Sequence, residues 1–424
     1  MELIDNMFLA WLDPQQMSAA FQSGNLLWAL ITFPTCVAAF SNTYVSQYEG
    51  SKSFSHIGRL VWQGVFFGLF CGVLFVSATP LIGRLFHALT QSSEIANYSK
   101  TYWFYFSLGA CATVGVEPLG AYFYGMGKSR TVMYVGLAAV LLNLCLDPIL
   151  IFGINGKFRL GVAGAGIASA VAMQFKFILL LVLVLHHDRS GKRGVLRGFR
   201  FNLSEMKKLL VLGSESAVQE TMENIFFAVF VLLMGWLGEN ASEATSIAFC
   251  LDYLVLMTRV GLGIATQTLT GNQIGAQRFD LVKRSVYTSL AIGLVVSCIF
   301  SALFLCVPER LLDLYDAKAT AEFAPIRELT VHLLRFIATY LFADTIIVVF
   351  LGALRGAGDA KIIACLSPVL ALITFAVMFV GVGRLNKGVY WCWGCLACYL
   401  YSNALILFAR FLYGKWRSID LTSE

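Results

Sequence analysis

Leu142-Asn143-Leu144-Cys145-Leu146-Asp147-Pro148 sets an amide and a carboxylate in the middle of an apolar stretch long enough to cross a bilayer. An ionisable side chain at membrane depth costs about 2.5–3.5 kcal/mol on insertion scales, so it normally faces a protein interior or a water-filled path and serves a function. Two further stretches repeat the pattern, Gln219-Glu220-Thr221-Met222-Glu223-Asn224 and Leu341-Phe342-Ala343-Asp344. Negative groups held inside apolar spans point to a carrier that works by binding and releasing cations.

The rest of the chain agrees. Of its 424 residues 58% are hydrophobic and only 13% charged, against about 25% charged in a soluble domain. Apolar windows near the ~20 residues that a membrane helix needs recur along almost the whole length. After a short segment at 1–12 they fall at 20–46, 58–84, 95–125, 131–153, 162–187, 207–237, 242–274, 281–307, 325–355, 361–383 and 389–413. The pattern predicts an all-α membrane protein of twelve transmembrane helices. The first, with Asp13-Pro14 closing it, reads as a helix whose N-terminal half is missing.

Lys and Arg set the expected orientation. One side of the predicted spans holds Lys52, Arg59, Lys128, Arg130, the run Arg189–Lys208, Arg278, Lys283, Arg284, Arg355, Lys361, Arg410, Lys415 and Arg417. The other holds Arg84, Lys100, Lys157, Arg159, Arg310, Lys318, Arg327, Arg384 and Lys387. The richer side, with about twice as many, is expected to be cytoplasmic and to carry both termini, in a multi-pass protein of the cell (inner) membrane. The net charge of +6 is therefore a topology signal, and nucleic acid is not an expected partner.

The eleven cysteines lie mostly in apolar spans. Cys392, Cys395 and Cys398 recur every three residues with no His or charged partner, which reads as helix packing rather than a thiolate metal site.

The basic stretch at 188–206 splits the chain into 1–187 and 207–413, with a tail at 414–424. The halves echo each other. Thr43-Tyr-Val-Ser-Gln-Tyr-Glu-Gly50, followed by Arg59, matches Thr268-Leu-Thr-Gly-Asn-Gln-Ile-Gly275, followed by Arg284, at a constant offset of 225. Leu119-Gly120-Ala121 before Gly125-Met-Gly127 mirrors Leu351-Gly352-Ala353 before Gly356-Ala-Gly358. This is the pattern of six helices duplicated in the same orientation, with the substrate path between the two bundles.

Asn143-Leu-Cys-Leu-Asp147-Pro148-Ile-Leu-Ile-Phe-Gly153 followed by Gly161-Val-Ala-Gly164-Ala-Gly166-Ile-Ala168-Ser169 resembles the signature of the multidrug and toxic compound extrusion (MATE) family. So do Gly261-Leu-Gly263-Ile-Ala265 with Gly271-Asn-Gln-Ile-Gly275-Ala276, and Gly352-Ala-Leu-Arg355-Gly356-Ala-Gly358-Asp359. The motifs follow the family's order over most of the chain. The resemblance implies two pseudo-symmetric six-helix lobes forming a V, which export organic cations in exchange for Na⁺ or H⁺.

Asn143 and Asp147 are four apart and share one helix face. Pro148 lacks an N–H, so its helical partner, the Leu144 carbonyl, is left free. Together these oxygens make a partial site for a hard cation; the alternative is that Asp147 simply caps a kink at Pro148. The resemblance adds Asp5, aligned with the carboxylate of the family's first helix, and Ser169 in place of a hydroxyl ligand, usually Thr, on the sixth. Na⁺ at Asp5, Asn143 and Asp147 is then possible. Tyr102 and Glu117 match positions lining the same lobe, although Glu117, beside Pro118, serves equally as a structural hydrogen-bonding group.

In the second half Glu220 and Glu223 lie one turn apart, with Gln219 four before Glu223. Glu223 and Asp344 match a Glu and an Asp that one branch of the family ties to cation coupling and to holding cationic drug. Because this chain carries both acidic sets, the coupling ion stays open between Na⁺ and H⁺. Asp252 and Arg259, seven apart on one helix face, are expected to neutralise one another. Glu215 is expected to be structural, and Lys176 and Arg335 to snorkel or pair. Aromatic residues (14%, with 34 Phe) serve chiefly lipid contact and packing, and a few lining the path bind flat cations at about 0.5–2 kcal/mol each.

The expected function is secondary multidrug antiport of small organic cations by a monomer, with no cofactor beyond the coupling ion. A flippase for lipid-linked saccharides of related architecture is the nearest rival, but it calls for a path lined by Arg or Lys. An enzyme is not expected: His56, His87, His186, His187 and His332 are isolated or at span ends, and no phosphate-cradling Gly-Lys-Ser/Thr loop is present.

Overall fold

The computed structural model describes residues 2–89, 92–153, 159–313, 324–359, 361–419 and 421. Lys157, Lys318 and part of the tail at 414–424 lie outside the described residues. The helices are α1 (Glu2–Leu12), α2 (Pro14–Ala39), α3 (Ser41–Gly50), α4 (Ser55–Ser77), α5 (Thr79–Leu89), α6 (Ser93–Ser107), α7 (Ala110–Gly125), α8 (Ser129–Phe152), α9 (Val162–His187), α10 (Leu203–Trp236), α11 (Glu239–Gly275), α12 (Phe279–Cys306), α13 (Pro308–Leu312), α14 (Ala324–Ala357), α15 (Lys361–Leu385) and α16 (Val389–Tyr413). Among the described residues there is no strand, and ten helices, counting α2 with α3 as one, are long and apolar enough to span a bilayer. Side chains such as Phe70, Val73, Leu141, Leu232, Ile299 and Leu405 are exposed on their surfaces, as lipid-facing positions require.

The span read at 95–125 is not one helix. It breaks at Leu108–Gly109, where the backbone tightens into Leu108 N–H to Tyr105 and Gly109 N–H to Phe106 bonds. A side chain at Gly109 would meet Ala170 of α9 at 3.1 Å. The Leu108 carbonyl accepts from the Gln174 amide at 2.9 Å, so the break leaves no orphan acceptor there. α6, with Glu94, Asn97 and Lys100, is the more polar piece and α7 the more apolar, but neither composition marks where the helix breaks.

The chain divides into two compact units, Met1–Ala217 and Val218–Glu424. The divide falls inside α10, beyond the basic stretch, because that stretch is packed onto the first unit. Asp188, fully buried, accepts from the backbone N–H groups of Arg193 and Val195, both at 2.8 Å. Trp62 donates to the Val195 carbonyl at 2.8 Å, and Arg193 makes a two-pronged pair with Glu49 at 2.7 and 3.1 Å. Removing one partner of a buried hydrogen bond costs about 1–3 kcal/mol per orphaned group. Asp188→Ala is thus expected to speed tryptic cleavage between Arg189 and Arg200, read on gels of the reconstituted chain; an unchanged cleavage rate would show that the carboxylate does not hold this segment.

In the second unit α14 is the most buried of the long helices and packs against α11, α12 and α16. Small residues from the quoted motifs make its contact with α11 close. A Cβ on Gly352 would collide with the Gly263 carbonyl, and one on Gly356 with the carbonyl of Gln267.

The repeat is visible in the backbone. α3 ends at Gly50 and α11 at Gly275, and Lys52 and Gln277, 225 apart, both take the left-handed conformation (φ 63° and 60°). The N–H of Ser53 returns to the Tyr48 carbonyl and that of Arg278 to Gln273. Gly127 and Gly358 (φ 70° and 83°) close α7 and α14 in the same way, with Lys128 bonded to Phe123 and Asp359 to Leu354. These are paired helix-terminating bonds of the Schellman kind.

Candidate functional site

α8 buries a single narrow stripe: Val132, Val135, Ala139, Asn143, Asp147 and Ile151. The spacing of three or four puts the amide and the carboxylate on the one face turned to protein. α8 and α9 are stitched where they meet, Leu160 N–H to the Leu150 carbonyl and Gly161 N–H to Ile151. Ser169, seven residues into α9, thereby comes level with the last turns of α8, at ~1.5 Å per residue. α1 is seated by its corner with α2. Asp13 caps α2 through Gln15 N–H at 3.0 Å and holds the Gln16 amide, whose oxygen accepts from Val162 N–H at 2.8 Å at the start of α9.

These elements bring Asp5, Tyr102, Asn143, Asp147 and Ser169 together, all fully buried. The Asn143 amide donates to Asp5 Oδ1 (3.3 Å), Asp147 Oδ1 (3.2 Å) and Ser169 Oγ (3.4 Å). Ser169 donates to Asp5 Oδ2 at 2.6 Å, and the Tyr102 hydroxyl reaches the same oxygen at 3.1 Å. Leu9, Ala20, Ile151, Val162 and Ala165 pack around the cluster with Tyr102. Two buried oxygens, Asp147 Oδ2 and Asn143 Oδ1, find no donor among the described residues. Two carboxylates on one amide in an apolar setting need a compensating positive charge, and two spare oxygen acceptors suit Na⁺ or a proton. Among the described residues no three His, Cys, Asp or Glu side chains converge as a metal centre. The oxygens here come instead from two carboxylates, an amide and a hydroxyl.

Glu117 does not join this cluster. It sits half-buried on α7, within electrostatic range of Lys176 of α9.

The second unit differs in electrical character. Glu220 is held by Arg355 at 2.8 Å, and the same guanidinium donates to the Gln219 oxygen at 3.1 Å. Gln219 in turn donates to Glu223 at 2.8 Å. Asp344 does not stand alone either: Arg259 lies 2.6 Å from it and 3.1 Å from Asp252. The pairing of Asp252 with Arg259 is thus present but shared. Tyr340 and Tyr399 were not singled out from the sequence, and Arg355 was read there only as a charge marking the cytoplasmic side. Arg355 lies inside a quoted motif, which is the one signal that could have flagged it.

A bundle of apolar helices with a buried, oxygen-rich cluster in the first unit and part-buried acidic groups paired to arginines in the second defines a multi-pass membrane carrier rather than an enzyme. The MatE family model matches residues 1–149 and 216–380, and the chain belongs to that family. It is 24% identical to the multidrug resistance protein NorM of Burkholderia vietnamiensis, over 97% of this chain and 89% of the relative. With the multidrug resistance protein PmpM of Pseudomonas aeruginosa it shares 26%, over 81% and 72%. The fold matches that of a multidrug resistance MATE family transporter of the MOP superfamily, solved in an outward-facing conformation, with a TM-score of 0.85 at 18% identity, covering 98% of this chain and 92% of the other.

Proposed function

We propose that this chain is a secondary antiporter that exports small organic cations across the inner membrane in exchange for Na⁺ or H⁺, acting as a monomer with both ends in the cytoplasm. One observation carries the reading: a fully buried cluster of Asp5, Asn143, Asp147, Ser169 and Tyr102 with two oxygens that find no donor among the described residues. Such a cluster has a use for one small cation and no room for a bulky one. The family and the multidrug names of the relatives support the class of cargo, and the asymmetry of Lys and Arg supports the orientation.

In this reading the coupling ion enters the first unit from outside, neutralises Asp147 and Asp5, and leaves on the cytoplasmic side. Asn143 and Ser169 hold the carboxylates at a fixed spacing throughout. The acidic groups of the second unit, Glu223 and Asp344 with Glu220 beside them, attract the organic cation. A lipid-linked anion fits poorly, because most of the buried charged groups named above are acidic.

The test is dye efflux from vesicles carrying the purified chain, with Na⁺ and pH gradients imposed one at a time. One of the two gradients is expected to drive efflux, and dissipating it to stop efflux. Efflux that ignores both gradients would overturn the proposal.

A further inference from the structure

The second unit already contains the positive charge that its carboxylates need, and it holds that charge unevenly. Arg259 is 2% exposed, while the Asp252 and Asp344 side chains beside it are 16% and 18% exposed. A visiting molecule therefore reaches the carboxylates before it reaches the guanidinium. The two contacts are of different kinds. Arg259 Nη2 donates an aligned hydrogen bond to Asp252 Oδ1 at 3.1 Å. Nη1 lies 2.6 Å from Asp344 Oδ2 yet makes no aligned hydrogen bond, so charge alone holds that contact.

The helices add a second asymmetry. Asp252 and Arg259 both belong to α11, so their bond persists however α11 moves as a body. Asp344 belongs to α14, so its contact with Arg259 crosses between helices and depends on their spacing. Arg259 consequently always keeps a carboxylate, and Asp344 can be given up without leaving a buried guanidinium unpaired. Tyr340 steadies the retained partner by donating to Asp252 Oδ2 at 3.4 Å. Glu223 and the Tyr399 hydroxyl also lie within the electrostatic range of Asp344, and that hydroxyl has no partner among the described residues.

We propose that Arg259 is a tethered cation that competes with cargo for Asp344, falls back on Asp252 when cargo binds, and so sets the charge of the guest the second unit accepts. The proposal rests on the cation-export reading above. With Arg259 present, the trio carries two negative charges and one positive, and a single positive guest completes it. Arg259 is then a specificity-determining residue, and Asp252 is the group that positions it.

Two substitutions should push binding in opposite directions, which a merely structural ion pair would not do. The chain in nanodiscs is titrated with the lipophilic monocation tetraphenylphosphonium and, in competition, with the dication methyl viologen. Arg259→Gln leaves Asp344 free and is expected to tighten tetraphenylphosphonium roughly tenfold, the scale of close charge pairs, and methyl viologen by more. Asp252→Asn confines Arg259 to Asp344 and is expected to weaken tetraphenylphosphonium by roughly tenfold. The double variant, with Asp344 free, is expected to bind at least as tightly as wild type. Should Arg259→Gln not fold, Arg259→Lys takes its place, because its compact ammonium lacks the fork that grips both carboxylates; it is expected to tighten binding. Arginine and Asp252 variants that shift binding in the same direction, or leave the ratio of the two ligands unmoved, overturn the proposal. A folded wild type that binds neither cation overturns the cation-export reading itself.

Discussion

Asp147→Asn is expected to cut gradient-driven dye efflux by roughly 5- to 150-fold, the range of typical coupling free energies, while the protein still inserts and melts as before. The substitution keeps the shape of the side chain and an oxygen to accept from Asn143. It removes the negative charge that calls for a cation. The neighbouring carboxylate is a poorer choice for this test. Asp5 accepts from Ser169, Tyr102 and Asn143, so replacing it disturbs packing as well as charge. Asp147 has one oxygen on Asn143 and one with no donor among the described residues, and its loss is felt mainly by the ion. Vesicle efflux and thermal melting, measured on the same preparation, separate the two effects. Wild-type efflux from Asp147→Asn would remove the first unit from the coupling scheme.

Gly356→Val is expected to cost about 1–3 kcal/mol of stability from overpacking. Its Cβ would meet the Gln267 carbonyl on α11, and backbone cannot swing aside as a flexible side chain can. Forcing α11 from α14 would also part Arg259 from Asp344. Gly261→Ala is the matched control, since among the described residues no atom beyond its own stretch of helix lies within 4 Å of the added methyl. A drop in melting temperature for the first and none for the second is the expected result. Equal behaviour of the two would mean that the close approach at Gly356 is not what holds these helices.

What the sequence made legible was whatever repeats along one helix or along the chain. The 143/147 spacing placed both groups on the one buried face of α8, and the matches at 50/275 and 127/358 mark helix ends closed by the same backbone bonds. The MATE-like motifs further directed attention to Asp5 and Ser169, which do meet Asn143. Contacts made between distant helices were the harder part. Asp252 and Arg259 are legible as neighbours two turns apart, but that Arg259 also reaches Asp344 depends on how closely α11 approaches α14. Glu117 came near Lys176 for a similar reason: α7 packs on α9, which spacing along either helix does not show. The break at Leu108–Gly109 was invisible because Gln174, far away in sequence, satisfies the carbonyl that the break exposes.

The helix ends shared by the two halves have a consequence for how such a protein diverges. Left-handed residues at 52 and 277, and again at 127 and 358, secure the chain's turning points through main-chain bonds, which make few demands on the side chains between them. Each copy is therefore free to rewrite its interior without losing its outline. One copy holds an oxygen nest that looks outward for its counter-charge, and the other carries Arg259 and Arg355 beside its carboxylates.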